Sequence, residues 1–147
     1  MIRPFEHRDL EQVLHIWLHT NRIAHDFIPA SYWESRREAV KEALPQAELC
    51  VWEENGEILG FIGLEGCHIA GIFVRQGAQS KGVGKRLLDR AKAGRDRLTL
   101  CVYRRNVRAA AFYRREGFIL EEERTDSDTG EAEYFMSWKR VNREEPL

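Results

Sequence analysis

This sequence predicts a single mixed α/β domain, and three observations carry the prediction. Strand-like and helix-like runs alternate along nearly the whole chain, with no linker, repeat or low-complexity stretch between them. Asn55-Gly56 joins two of the strand-like runs as a hairpin turn, because both residues tolerate a positive φ. An apolar run, Ile69 to Val74, passes through the loop Gln79-Ser80-Lys81-Gly82-Val83-Gly84 into the helix-like Lys85-Arg86-Leu87-Leu88. The 147 residues suit one domain and are enough to bury a core.

Taken in order, Ile2 to Phe5 reads as a short first strand, with Pro4 favouring an edge or a strand end. Asp9 suits a helix cap, and Leu10, Val13, Leu14, Trp17 and Leu18 follow at helical spacing. Ser31 is expected to cap a second helix through Leu44, with Glu34 completing a capping box and Pro45 stopping it. Between these helices lies the loop Ala24-His25-Asp26-Phe27-Ile28-Pro29. Leu49 to Glu53, Glu57 to Leu64 and His68 to Val74 are strand runs. The helix after the glycine loop reaches to about Gly94, and Leu98 to Tyr103 forms another strand. Asn106 caps a helix holding Ala109, Phe112 and Tyr113, which Gly117 ends. Phe118 to Glu123 and Glu133 to Trp138 form a last hairpin around Asp128-Thr129-Gly130. The domain is expected over residues 1–140, with 141–147 a loose tail.

The formal net charge of −1 provides no global attraction for nucleic acid or an anionic membrane, so neither is an expected partner. No apolar run approaches the roughly 20 residues that span a bilayer, and the N-terminus carries no signal segment, so the expected location is the cytosol. Cys50, Cys67 and Cys101 form no Cys-x-x-Cys unit; Cys50 and Cys101 lie in apolar runs where buried, reduced thiols are the default. Cys67 and His68 are adjacent on a strand and point to opposite faces, which argues against a nucleophile–base pair. Nothing has the spacing of a metal-ligand cluster, so no metal is implied.

The glycine loop is where chemistry first shows. A helix's first N–H groups lack intrahelical partners, its dipole adds positive character there, and glycines let a phosphate approach closely, which suits a pyrophosphate. The loop is not a dinucleotide fingerprint, because Leu87 stands where a third glycine belongs, and not a P-loop, because Arg86 follows Gly84-Lys85. Gly82 and Gly84 alone also suit an ordinary loop entering a helix. With the downstream segment Asn106 to Phe118, however, the pair resembles the acetyl-CoA signature of the GCN5-related N-acetyltransferases, the GNAT superfamily. The resemblance runs from Ile2 to Trp138, and the element order β-α-α-β-β-β-α-β-α-β-β is similar to that fold. It implies a central mixed sheet of six to seven strands with helices on both faces. His25 to Ile28 and Met136 to Trp138 resemble a subgroup of small bacterial enzymes that includes protein lysine acetyltransferases.

The resemblance also implies roles. Acetyl-CoA is the co-substrate, its pyrophosphate held by backbone amides of Gln79, Ser80, Lys81, Gly82, Val83 and Gly84 with Lys85 beside them. The strand edge Ile72, Phe73 and Val74 pairs with the pantetheine arm, and one freed amide there polarises the thioester carbonyl. Gly71 fits a bulge or is simply a weak strand residue. Asn106 reaches the pantetheine, caps its helix, or does both. Tyr113 is placed to protonate the departing thiolate, a phenol of ordinary pKa about 10 being protonated at neutral pH; otherwise it is a core aromatic beside Phe112. An alkylamine of pKa about 10.4 must lose a proton first, and Glu65 and His68 are the candidates for the base or its water relay, against plain strand-end roles. His25, Asp26 and Phe27 line the acceptor groove or brace their own loop. Phe27, Ile28, Tyr32 and Trp33 form an apolar wall or belong to the core, and the acidic residues from Glu121 to Glu133 attract a cationic acceptor or are a solvated surface. Arg75-Gln76-Gly77 departs from relatives that often carry a proline there.

The expected activity is acetyl transfer to a primary amine, protein lysine first, by direct attack in a ternary complex by a monomer or homodimer. A small-molecule amine or protein N-terminus, or a non-catalytic acyl-CoA sensor, stands as the alternative. A nucleic-acid role for Arg104, Arg105, Arg108, Arg114 and Arg115 ranks last.

Overall fold

A computed structural model describes residues 1–79 and 81–141. Its strands are β1 (Ile2–Pro4), β2 (Glu48–Glu54), β3 (Glu57–Glu65), β4 (His68–Val74), β5 (Arg97–Tyr103), β6 (Ile119–Thr125) and β7 (Ala132–Lys139). Its α-helices are α1 (Leu10–Ala24), α2 (Ala30–Ala43), α3 (Val83–Lys92) and α4 (Val107–Arg115), so the elements follow the expected order. Of the expected tail, Val141 is exposed, and 142–147 lie outside the described residues.

All seven strands join one sheet in the order β1-β2-β3-β4-β5-β7-β6. β4 and β5 are the parallel neighbours, and the other adjacent pairs are antiparallel. α1 covers one face through Val13, Leu14 and Ile16, which bury against Val51, Ile58 and Phe61, and α2 packs on α1 with Val40 at the edge of this cluster. α3 and α4 cover the other, where Leu87, Leu88, Ala110 and Tyr113 meet Ile69, Leu98, Leu100 and Met136. Burying each such aliphatic side chain contributes about 2 kcal/mol before entropy is counted.

The local turn chemistry follows the sequence. Asn55 and Gly56 sit at φ 52° and 80° and close the β2–β3 hairpin. Gly117, at φ 96°, ends α4.

The capping of the first two helices differs from expectation. Ser31 lies inside α2, whose N-cap is Pro29, so it caps nothing. Asp9 precedes α1 without capping it through its side chain. It is 3% exposed and binds the Arg3 guanidinium through two contacts of 2.7 and 2.9 Å, while accepting from the Glu6 N–H at 2.9 Å. Arg3 also reaches Glu53 at 3.0 Å, so the ion pairs tie β1 to β2 and to the start of α1. All three cysteines are free; Cys101 is exposed because β5 alternates and turns it outward.

Candidate active site

β4 and β5 pair only at His68↔Thr99 and Ile69↔Leu100, although β4 continues to Val74 and β5 to Tyr103. Beyond Ile69 the two strands splay apart. The cause lies in the β3–β4 register, which shifts between Gly63 and Leu64 and leaves Ala70 unmatched, so the bulged residue is Ala70 rather than the neighbouring Gly71. The bulge also sets which backbone groups face the opening. Arg75 N–H donates to Leu59 C=O on β3 at 2.7 Å. Alternation then turns Phe73 toward β3 as well, and turns Ile72 and Val74 toward β5. The Gln79 side-chain amide donates to Val74 C=O at 3.1 Å, consistent with that orientation. Of the three expected edge residues, Ile72 and Val74 therefore offer backbone to the opening, while Phe73 pairs with Phe61 and stacks on its ring at 5.0 Å.

At the mouth of the splay sits the glycine loop. Gly82 is the N-cap of α3 at φ 79°, and a Cβ added there meets no atom within 4 Å. Ladder hydrogen bonding starts with Arg86 N–H donating to Gly82 C=O at 3.1 Å, so the amides of Val83, Gly84 and Lys85 precede it at the helix end. The Val83 side chain is core, leaving its backbone for the loop. A Cβ on Gly84 would lie 3.6 Å from Val74 and 3.8 Å from the Phe112 ring, where α3 meets β4 and α4. Lys81 is exposed, and the Lys85 ammonium is held by Glu116 at 3.1 Å and Asp89 at 3.4 Å. Gln79 also accepts from Arg108 at 3.2 Å, linking the loop to α4. Ser80 lies outside the described residues.

From α4 come two further groups. Asn106 caps it, its side-chain oxygen accepting from Ala109 N–H at 3.3 Å, and its amide nitrogen lies 3.1 Å from His25 Nε2. Tyr113 packs beside Phe112 and Phe118 at 5.3 and 5.7 Å. Burial pushes its pKa up, which keeps it protonated.

On the other side, His25 is wrapped by Trp33 (5.4 Å), Tyr103 (5.0 Å) and Phe27 (5.7 Å), and burial pushes its pKa down to about 4. The Tyr103 hydroxyl donates to Asp126 at 2.5 Å, tying β5 to the β6–β7 turn. That turn and the α1–α2 loop line an open pocket of about 290 Å³ formed by Phe27, Ile28, Pro29, Tyr32, Asp128 and Thr129. Asp26 is exposed at its edge of the loop. Glu65 and His68 face each other across the β3–β4 turn, at the closed end of the splay. His68 Nδ1 lies 2.8 Å from Thr99 Oγ1, about 10 Å along the strand from Gly71 at about 3.3 Å per residue.

Residues 45–120 match a family model described as an acetyltransferase (GNAT) domain. The peptidyl-lysine N-acetyltransferase YiaC of Escherichia coli is 35% identical to this chain, over 96% of the chain and 98% of that protein. The chain belongs to the GNAT family. YjaB of E. coli, another peptidyl-lysine N-acetyltransferase, is 32% identical over 80% of both chains. The solution structure of apo-form YjaB aligns with a TM-score of 0.84 at 28% identity, covering 94% of this chain and 96% of that one.

This GNAT chain is an acetyl-CoA-dependent N-acetyltransferase, and its own geometry suits that co-substrate. The open Gly82 and the leading amides of α3 suit a pyrophosphate, while Ile72 and Val74 offer an unpaired strand edge to an amide-bearing arm. No helix among the described residues is long and apolar enough to cross a membrane. Sequence reasoning missed Tyr103 and the side-chain role of Gln79. Tyr103 ends an apolar strand and reads as core, and Gln79 reads as a backbone donor alone; the Tyr103–Asp126 and Gln79–Arg108 bonds join segments distant in the chain, which no local pattern announces.

Proposed function

We propose that this enzyme acetylates lysine side chains of proteins, by direct attack of the amine in a ternary complex. The observation that carries this reading is the pocket between the α1–α2 loop and the β6–β7 turn, where Tyr32 stands beside the exposed Asp128 and Arg105 already covers the Phe27 ring. Aromatic faces and a carboxylate attract an ammonium group. Phe27 also touches His25 and Tyr103, so the pocket shares a wall with the groups around Asn106. Its mouth is open rather than enclosed by protein, which suits a side chain projecting from a larger surface. The peptidyl-lysine activity named for YiaC and YjaB supports the same acceptor.

Bound acetyl-CoA supplies an acetyl thioester. The Ile72 N–H, free on the splayed edge, donates toward the carbonyl oxygen as negative charge develops there. The Tyr113 hydroxyl gives its proton to the departing sulfur, a role suited to a phenol that burial keeps protonated. His68 and Glu65 lie too far along the strand for direct contact and act on the amine's proton through water.

Release of free coenzyme A across lysine peptides, peptides with free N-termini, polyamines and aminoglycosides tests the assignment. Lysine peptides are expected to turn over fastest. Asp128→Asn is expected to raise their KM roughly three- to tenfold, more at low salt, with little change in kcat. Preferential turnover of a small-molecule amine or a free N-terminus would overturn the acceptor assignment.

A further inference from the structure

We propose that His25 is a positioning residue for the co-substrate site: its bare Nε2 accepts a hydrogen bond from the Asn106 carboxamide and fixes the direction in which that amide presents its remaining groups. The inference rests on the reading that Asn106 contacts acetyl-CoA.

The argument starts from the cap of α4. Asn106 Oδ1 accepts from Ala109 N–H, and the opposite rotamer would set an NH2 group against that N–H, two donors face to face. The cap therefore orients the carboxamide, with its NH2 toward His25 Nε2 at 3.1 Å. A donor facing a ring nitrogen makes a hydrogen bond only if that nitrogen carries no proton, so the neutral ring holds its proton on Nδ1. His25 is built for this form. Trp33 stacks on one face at 29° between planes, Tyr103 and Phe27 meet the ring edge-on, and no carboxylate among the described residues hydrogen-bonds to it.

The arrangement carries a cost. His25 Nδ1 is buried and has no partner among the described residues. Burying a donor unpaired is unfavourable, so a ring serving only as filler would be replaced by phenylalanine without that loss. The unpaired nitrogen is instead the one the hydrogen bond to Asn106 forces to carry the proton. Once Ala109 and His25 are engaged, Asn106 retains one N–H and one oxygen lone pair in fixed directions. That donor–acceptor pair matches an amide, the group repeated along a pantetheine arm. The histidine thus belongs to the α1–α2 loop by sequence and to the co-substrate side by contact.

Two measurements test the assignment. In the unaltered protein, nitrogen-15 NMR of the imidazoles is expected to show His25 with Nδ1 protonated and Nε2 bare; the reverse tautomer overturns the proposal. Calorimetric binding of coenzyme A is then compared in His25→Phe, His25→Gln, Asn106→Ala and the His25→Phe/Asn106→Ala double variant, with thermal midpoints recorded for each. His25→Phe keeps a ring in the box and is expected to weaken binding roughly three- to tenfold. His25→Gln, which returns an acceptor at the same reach, recovers most of the affinity. In the Asn106→Ala background, His25→Phe is expected to add nothing. Equal losses in both backgrounds mean that His25 acts only on the fold, and overturn the proposal alone. Unchanged affinity in Asn106→Ala overturns the Asn106 reading and the proposal with it. Should His25→Phe fail to fold, the tautomer and His25→Gln decide: a glutamine variant that folds but binds as poorly as Asn106→Ala counts against.

Discussion

His25 couples the protein's stability to pH in a direction that can be worked out from its surroundings. Burial among Phe27, Trp33 and Tyr103 lowers its pKa from about 6.5 to about 4. As pH falls, the unfolded chain takes up the proton first, near 6.5, while the folded ring stays neutral until near 4. Stability is therefore fully present above about pH 7, declines between about 6.5 and about 4, and loses nothing more from this group below that. At about 1.4 kcal/mol per pH unit the whole window amounts to about 3 kcal/mol, of which about 2 is spent by pH 5. Other charged groups stand near: Asp26 in the same loop, Arg105 over the Phe27 ring and Asp126 on Tyr103. The assay is urea unfolding of the unaltered protein and of His25→Gln at about pH 7.5 and about pH 5, because the difference of differences removes every titration the two share. The unaltered protein is expected to lose about 2 kcal/mol more than the variant. Equal losses would show that His25 titrates normally in the fold, and would refute both its burial as a neutral ring and the bare Nε2 on which the contact with Asn106 depends.

Other outcomes follow from the same geometry. Tyr113→Phe is expected to lower kcat by about 10²-fold or more with little change in coenzyme A affinity, read by steady-state kinetics beside calorimetry; unaltered turnover removes Tyr113 as the acid. Gly82→Ala puts a side chain on a residue at φ 79°, so it is expected to cost about 1–2 kcal/mol in thermal unfolding and to weaken coenzyme A binding, since the added Cβ projects into the open space over the loop. Asp9→Asn removes the principal partner of the largely buried Arg3 and is expected to cost about 2 kcal/mol by urea denaturation. The hydrogen bonds from Arg3 hold the Asp9 carboxyl below its ordinary pKa, so its contribution is present above about pH 4 and is lost as pH falls through the folded value.

Most features that depend on residues a few positions apart were legible in the chain. The Asn55-Gly56 turn, the Asn106 cap three residues before Ala109, the Gly117 stop and the entry into α3 at Gly82 are all short-range, and the alternation of apolar residues yields the strand and helix order. Two local readings failed for a reason the chain also carries. Ser31 lost the cap to Pro29, whose ring suits the start of a helix, and the Asp9 carboxylate found the guanidinium of Arg3 a stronger partner than a helix amide.

The candidate site divides along the same line. The glycine loop at the helix end suits a pyrophosphate on its own, because that chemistry is local, and with the α4 segment it carries the resemblance that implies acetyl transfer. Which backbone groups face the splay was not legible, since one unmatched residue, Ala70, inverts the facing of everything after it, so that Ile72 and Val74 open to β5 while Phe73 does not. Nor did any pattern bring His25 to Asn106, 81 residues away, or Tyr103 to Asp126. Such contacts depend on sheet register and on how far two strands diverge, quantities summed over the whole packed chain, whereas composition and spacing report only what neighbouring residues do to one another.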